Sequence, residues 1–209
     1  MKNYFKRLLR IIMAFIARTY QKIHIDLMAY PYSSQITLGK SSYILLPRRI
    51  DGEKYIVIGD NSRVMKYAWI SAFDKYAGQR FSPKIFIGDN VYIGGFSCIT
   101  SVVGIKIDDG CVLSEFVYIT DHVHGYNPEN GNILSQFLES KGDVCIGKNC
   151  LIGYGSHILP GVRLGNNCVV GANSVVTRSF PDHSMIAGSP AKLIKKYSYE
   201  HHAWINIEE

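Results

Sequence analysis

An aliphatic residue recurs at every sixth position toward the C-terminal end of the chain. These positions are Ile146, Ile152, Ile158, Leu164, Val170 and Val176. The fifth position of each full unit is small and holds Cys150, Ser156, Val162, Cys168 and Ser174. Neither a helix nor a simple strand has this period. A six-residue unit with one large and one small inward side chain suits a short strand followed by a corner, and stacked units bury a continuous aliphatic column.

The same phase occurs earlier in the chain as three interrupted triplets. Their members are Ile58, Val64 and Ile70, then Ile87, Ile93 and Ile99, and last Ile107, Leu113 and Ile119; Val91 is a small fifth position. If three units form one triangular coil, each triplet is one layer. Ile70 and Ile87 are 17 positions apart, and Ile119 and Ile146 are 27 apart. Polar loops therefore leave the coil at both gaps, and such loops often carry chemistry.

The pattern predicts an all-β solenoid with an appendage at each end. The 209 residues, 47% of them hydrophobic and 19% charged, suffice for one main core. We place the solenoid at residues 31–180, with loop insertions near 71–86 and 120–145. A basic amphipathic helix is predicted over residues 1–30, and a C-terminal segment with a short helix over 181–209. Corners with unusual dihedral angles are expected at 147–149 and 165–167, where Gly and Asn occur.

Three of the five cysteines fall on the small inward position of the repeat: Cys111, Cys150 and Cys168. They are therefore predicted to pack in the core rather than to form a disulfide framework. With no cleavable signal peptide evident, this usage favours a reducing, cytoplasmic compartment.

The N-terminal segment combines basic residues with an apolar run over 11–17 that is too short to span a bilayer. Lys6, Arg7, Arg10 and Arg18 bracket this run. Such a helix suits peripheral contact with an anionic inner-membrane face, and packing on a neighbouring subunit fits it equally. The net charge of +6 also fits a phosphorylated ligand. No motif with aromatic interleaving points to nucleic acid.

The second loop opens with the residues Thr120-Asp121-His122-Val123-His124. Two histidines beside a carboxylate form the strongest catalytic candidate in the chain. Imidazole titrates near neutrality, so it can take a proton from a hydroxyl and return one to a leaving thiolate. The alternative is that both histidines are solvated loop residues.

These features together resemble the hexapeptide-repeat O-acetyltransferases. The resemblance covers about residues 58–196 and rests on the repeat, the Thr120-Asp121-His122 loop and the segment from Ile146 to Lys196. Similar members include galactoside and maltose acetyltransferases and enzymes that O-acetylate bacterial capsule or lipopolysaccharide sugars. The resemblance implies a left-handed parallel β-helix, a homotrimer, and acetyl-CoA bound between neighbouring subunits without a required metal. The implied acceptor is a carbohydrate, as in capsule, lipopolysaccharide or exopolysaccharide biosynthesis.

The resemblance also implies roles for individual residues. His122 matches the catalytic base, and Asp121 and His124 are assigned supporting or acceptor-binding roles. The positions that match acetyl-CoA contacts are Tyr154, Ala172, Thr177, Arg178, Lys192 and Lys195. The two lysines suit the phosphates of coenzyme A by charge. The chain departs from many relatives at Leu151, where they carry Trp, and at Gly95, which aligns with an acceptor-binding Asn.

Three other functions remain open at this stage. An N-acetyltransferase acting on an amino sugar would use the same histidine chemistry. A carbonic-anhydrase-like zinc enzyme needs three converging histidines, which His122, His124 and His157 would supply in number. A non-catalytic trimeric scaffold is the third alternative, although it leaves the loop histidines without a purpose.

Overall fold

The structure of the protein is a computed structural model that describes residues 6–7, 10–16, 19, 23, 29 and 35–207. From residue 35 onward the chain passes repeatedly through three parallel sheets. The first three coils contain β1 (Thr37–Leu38), β2 (Tyr43–Ile44), β3 (Arg49–Asp51), β4 (Ile56–Ile58), β5 (Arg63–Val64), β6 (Trp69–Ala72), β7 (Lys75–Tyr76), β8 (Gln79–Arg80), β9 (Ile85–Ile87), β10 (Tyr92–Ile93) and β11 (Cys98–Ser101).

The later coils and the C-terminal extension follow the same order. They contain β12 (Ile105–Ile107), β13 (Val112–Leu113), β14 (Tyr118–Thr120), β15 (Val123–His124), β16 (Leu138–Glu139), β17 (Val144–Ile146), β18 (Leu151–Ile152), β19 (His157–Ile158), β20 (Arg163–Leu164), β21 (Val169–Val170), β22 (Val175–Val176), β23 (Ser184–Gly188), β24 (Ala191–Ser198) and β25 (Ala203–Asn206). Short 3-10 turns lie at Glu53–Tyr55, Pro128–Asn130 and Ile133–Ser135.

The strand order defines a three-sided coil in which each strand pairs with its equivalent one turn away. Sheet 1 has the order β1-β4-β9-β12-β17-β20, sheet 2 the order β2-β5-β10-β13-β18-β21-β23-β24-β25, and sheet 3 the order β3-β6-β11-β14-β19-β22. All pairings between coils are parallel, as in Ile107↔Ile146 and Ile119↔Ile158. The repeat therefore produces a parallel β architecture, as predicted.

The core is the predicted aliphatic column. The inward residues of the three triplets and of the 146–176 repeat are at most 3% exposed. Cys111, Cys150 and Cys168 are free and buried, which confirms that they pack in the core. Their thiols donate to backbone oxygens of the next turn, as from Cys150 Sγ to Gly165 O at 3.1 Å. The small inward column thus also links successive coils.

The predicted corners have left-handed backbone geometry at Asn149 and Asn167, both with φ of 55°. Asn adopts this region more readily than other non-glycine residues. Gly147 is required for a different reason, because a Cβ there would lie 2.7 Å from the backbone carbon of Gly165. Close stacking of consecutive corners therefore selects the Gly-x-Asn sequence.

The prediction of a short helix in the C-terminal segment is wrong. β23 extends sheet 2 in parallel, and β24 and β25 then add antiparallel strands to its edge. The end of a coil leaves backbone N–H and C=O groups unpaired, and these two strands satisfy them. Ala191 and Leu193 meanwhile pack against the core.

Within residues 1–30, the described residues 6–7, 10–16, 19 and 23 are helical. Ala29 forms an isolated bridge with Leu45. The apolar side chains of this helix are 45–70% exposed, namely Ile11, Ile12, Met13, Phe15 and Ile16. Among the described residues, no helix is long and apolar enough to cross a membrane. The other residues of the predicted 1–30 helix, Arg18 among them, lie outside the described residues.

Candidate active site

The loop between β14 and β17 leaves the coil at the corner between sheets 3 and 1. Its base is a short antiparallel ribbon, in which β15 pairs with β16 through Val123↔Glu139 and His124↔Leu138. The Gly125 N–H extends the ribbon by donating to Phe137 O at 2.9 Å. His122 therefore lies between a rigid coil and a paired ribbon rather than on a free loop.

Asp121 is fully buried and accepts hydrogen bonds from the preceding coil. Its Oδ2 accepts from Ser101 Oγ at 2.6 Å and from the Val103 and Gly104 N–H groups at 2.9 and 2.7 Å. Its Oδ1 accepts from the Val102 N–H at 2.9 Å. The carboxylate thus closes the tight turn that follows β11.

Burial alone would raise the pKa of Asp121, but hydrogen bonds outweigh it. The donors that lower the pKa are His122, Ser101 and the backbone N–H groups of Val102 and Val103. The net result is a pKa below the ordinary value of 3.8. Asp121 is therefore a carboxylate at neutral pH despite its burial.

The His122 ring is oriented by this carboxylate. Its Nδ1 lies 2.9 Å from Asp121 Oδ1, and its side chain is 12% exposed. Because the carboxylate can only accept, Nδ1 carries the hydrogen, and in the neutral ring Nε2 keeps a free lone pair. The Thr120 hydroxyl donates to His122 O at 3.0 Å, and the edge of Phe73 contacts the ring at 6.2 Å between centroids. The arrangement is that of a general base held in one tautomer.

His124 contacts the β7–β8 hairpin instead. Tyr76 OH donates to Leu134 O at 2.8 Å and lies 3.3 Å from His124 Nδ1, and the two rings meet edge to face. Neither Tyr76 nor Ser101 was among the predicted site residues. Tyr76 lies in the predicted insertion near 71–86, whereas Ser101 lies in neither insertion and had no such sequence signal.

Thr177 is near the loop that carries His122, whereas Tyr154 and Ala172 are not. Thr177 lines a cavity of about 260 Å³ together with Val123, Ser140 and Leu159. The Ser140 hydroxyl donates to Asp121 O, so this cavity borders the base of the loop. Arg178 follows at the same corner, with its guanidinium 5.2 Å from the ring centroid of Phe180.

Tyr154 and Ala172 lie at the corner between sheets 2 and 3, one coil apart. The Asn173 N–H donates to Tyr154 O at 2.7 Å, which fixes this spacing. Tyr154 is 49% exposed and ends a row of contacting aromatic rings that continues through Phe116, Phe96 and Tyr67. Gly95 lies at the same corner, and a Cβ there would be 2.9 Å from Lys66 O.

Lys192 and Lys195 share one face of the sheet 2 extension. They pair with Ala187 and Met185, which are two residues apart and therefore point the same way. An ordinary strand would place residues three apart on opposite faces, but a register shift leaves Ile194 as an extra residue between the two pairs. The bulge thus brings both lysines to one surface.

Within the described part of one chain, the three histidines considered for zinc have separate surroundings. His157 lies on the outer face of sheet 3, with its ring 5.5 Å from that of Tyr118. In the described part of the chain, no three His, Cys, Asp or Glu side chains are grouped so that they could hold a metal ion.

Comparison with known proteins agrees with the resemblance found in the sequence. The model of the hexapeptide repeat of succinyl-transferase matches residues 84–121 and 143–178. The chain is 39% identical over 127 residues to WbbJ of Escherichia coli K12, named as a lipopolysaccharide biosynthesis O-acetyl transferase. This match covers 57% of the chain and 64% of WbbJ, so the chain spans slightly less than two thirds of that relative.

Two solved structures are also similar. A maltose O-acetyltransferase from Clostridium difficile 630 is 26% identical with a TM-score of 0.51, and the match covers 77% of this chain and 68% of that one. AntD, an N-acyltransferase from Bacillus cereus solved with dTDP and 3-hydroxybutyryl-CoA, is 22% identical with a TM-score of 0.65, covering 83% and 92%. AntD supports the fold alone. The matched repeats and these relatives confirm the predicted resemblance: the chain resembles the hexapeptide-repeat O-acetyltransferases.

Proposed function

We propose that the protein transfers an acetyl group from acetyl-CoA to a hydroxyl of a carbohydrate in bacterial surface polysaccharide biosynthesis. The observation that carries this proposal is the pair formed by buried Asp121 and His122, which leaves one imidazole nitrogen free at the mouth of a loop. The similarity to WbbJ supports the carbohydrate acceptor and points to lipopolysaccharide, with capsule and exopolysaccharide as related acceptors.

In this mechanism His122 Nε2 takes the proton of the sugar hydroxyl as its oxygen attacks the thioester carbonyl. The C–S bond then breaks, and the imidazolium returns the proton to the sulfur of coenzyme A. Asp121 stabilises the imidazolium formed in between, because its own pKa is too low for it to take the proton at neutral pH. A backbone N–H of a neighbouring turn is assigned to the developing oxyanion.

The proposed acetyl-CoA contacts are Tyr154, Ala172, Thr177, Arg178, Lys192 and Lys195. Tyr154 and Ala172 lie at the corner between sheets 2 and 3, and the two lysines lie on the sheet 2 extension. Thr177 and Arg178 share the corner between sheets 3 and 1 with His122. A cleft between adjacent copies would bring corners of both kinds together, which supports a homotrimer of left-handed β-helices with sites between subunits. We retain residues 1–30, 31–180 and 181–209 as its proposed parts.

Acetyl-CoA is expected to bind without any metal. The proposed contacts supply backbone groups, a hydroxyl and cationic side chains, which suffice for a pantetheine arm and phosphates. Calorimetric titration of chelator-treated protein should give the same Kd as titration of untreated protein. A requirement for added zinc would favour the carbonic-anhydrase-like zinc enzyme instead.

Transfer to an amine is the nearest alternative, because the same base serves both reactions. The two products differ in chemistry: an O-acetyl ester is cleaved by hydroxylamine, whereas an N-acetyl amide is not. Incubating the protein with labelled acetyl-CoA and either neutral or amino glycosides separates them. Hydroxylamine-stable label found only on the amino glycosides would overturn the hydroxyl assignment.

We also propose that the protein works in the cytoplasm, where acetyl-CoA is available, with peripheral contact to the inner membrane through the N-terminal helix. The described part of this helix combines exposed Ile11, Met13 and Phe15 with basic Lys6 and Arg10. Apolar insertion and attraction to anionic lipid would act together, and salt would weaken the second.

Replacing Lys6, Arg7 and Arg10 by Gln should reduce co-sedimentation with vesicles containing anionic lipid, while activity on a short soluble acceptor stays unchanged. Deleting residues 1–24 should reduce co-sedimentation further and should also leave this activity unchanged. If the truncated protein loses its oligomeric state instead, the helix packs between subunits and the membrane contact is wrong.

A further inference from the structure

A second cavity lies between the β7–β8 hairpin and the 121–143 loop. Its volume is about 500 Å³, within the range of small-molecule sites. Gln79 of the hairpin forms one wall, and the loop supplies Asn130, Phe137 and Glu139 among the others. The cavity therefore exists only because two insertions from different coils meet.

The two insertions are held together by paired hydrogen bonds. Leu138 N–H donates to Gln79 Oε1 at 2.7 Å, and Gln79 Nε2 donates to Leu138 O at 3.2 Å. The Gln79 amide thus satisfies both the N–H and the C=O of Leu138, as a neighbouring strand would. Gln136, which is 6% exposed, crosses the loop by bonding Asn127 and Gly131. The cavity walls are therefore fixed in position.

The β15–β16 ribbon lies where this cavity meets the one that contains Thr177, and Glu139 of the ribbon lines both. Val123 lines the Thr177 cavity, whereas its neighbour His124 pairs with Leu138, which lines the cavity beneath Gln79. Successive residues of a strand point to opposite faces. His122 immediately precedes this ribbon in the sequence, and Ser140, which lines the Thr177 cavity, donates to the backbone oxygen of Asp121.

The hairpin also orients the ring of His124. Because Tyr76 OH donates to Leu134 O, its oxygen is free to accept from His124 Nδ1. In the neutral ring, Nε2 is then the acceptor nitrogen. The His124 ring is therefore held with Nε2 as its hydrogen-bond acceptor.

We propose that the cavity between Gln79 and the loop is the acceptor subsite and that it takes a neutral sugar ring; this rests on the proposed function. Phe137 is 62% exposed and offers an apolar surface to the C–H face of a sugar. Among the described residues, the side chains of Asn130 and Glu139 have no hydrogen-bond partner, so both are available to hydroxyls. The Glu139 carboxylate repels an anionic sugar.

The test replaces Phe137 with alanine and Glu139 with glutamine. Leu134→Ala and Glu129→Gln are the matched controls, since both residues are in the same loop and neither lines this cavity. Phe137→Ala should raise the KM for a neutral glycoside about tenfold, with kcat and the KM for acetyl-CoA within about twofold of wild type. Glu139→Gln should reduce the preference for methyl glucoside over methyl glucuronide.

A binding measurement separates the subsite from the proposed activity. Saturation-transfer NMR with methyl α-glucoside, methyl β-galactoside and methyl glucuronide needs no acetyl-CoA. Binding of a neutral glycoside that is lost in Phe137→Ala supports the subsite, even if no acetyl transfer is found and the proposed function fails. If active wild-type protein and Phe137→Ala have equal acceptor KM values, or if the glucuronide binds best, the subsite is wrong.

Discussion

Replacing His122 with alanine is expected to lower acetyl transfer by about 100- to 10,000-fold, the range for loss of a general base. The fold should remain, because the ring packs against Phe73 at the edge of the coil and contributes nothing to the aliphatic column. The measurement is kcat/KM with acetyl-CoA and the identified glycan acceptor, alongside the thermal unfolding temperature.

Two histidine controls make this result specific. His201→Ala, in the turn where His201 bonds Ser198, should retain wild-type activity. His124→Ala should have a milder effect than His122→Ala. Added imidazole should restore part of the lost rate in His122→Ala if the ring acts as a base. Near-wild-type turnover by His122→Ala would remove His122 from the mechanism.

The repeat made the coil predictable because its information is local. A six-residue period with one large and one small inward position specifies a strand and a corner without reference to distant residues. The gaps of 17 and 27 positions likewise located the two insertions. Since parallel pairing joins each unit to its equivalent in the next coil, three uninterrupted units of the period gave the register observed between β17 and β20, where Ile146 pairs with Leu164.

The C-terminal strands were not predictable in this way. Lys192 and Lys195 have a spacing that is typical of one helix face, and only the bulge at Ile194 gives a strand the same result. That bulge forms only because β24 pairs with β23 at the edge of sheet 2, a contact that the local sequence does not specify. The sequence therefore pointed to the two lysines but predicted the wrong element to carry them.

The site itself depends on contacts between coils. Asp121 meets Ser101 and the turn at 102–104, about one coil earlier in the sequence, and His124 meets Tyr76, 48 positions away. The sequence indicated a histidine beside a carboxylate. It did not indicate that the carboxylate is buried, that it closes another turn, or that a hairpin holds the second histidine.

Asp121→Asn is expected to damage both catalysis and stability. An amide presents one oxygen and one N–H₂ group to donors that all need acceptors. If its oxygen faces Val103 and Gly104, the N–H₂ faces Val102 N–H and His122 Nδ1, so His122 would shift to the tautomer in which Nε2 carries the hydrogen. Activity should fall about 100- to 10,000-fold, as when a base is held in the wrong tautomer.

The stability effect follows from the same geometry and has a defined pH dependence. Each backbone N–H left without an acceptor costs about 1–3 kcal/mol of unfolding free energy. The folded-state pKa of Asp121 is below its ordinary value of 3.8, so its stabilising contribution is present above that value and is lost as the pH falls through the lower, folded pKa. Denaturant unfolding at pH 7 and at acid pH should therefore show a wild-type advantage over Asp121→Asn that shrinks below about pH 4.

The control is Asp143→Asn. Asp143 is an exposed carboxylate at the other end of the loop that pairs with Arg163, so its replacement should change the unfolding free energy by at most about 1 kcal/mol. An equal advantage at both pH values would show that the carboxylate charge is not what stabilises this corner.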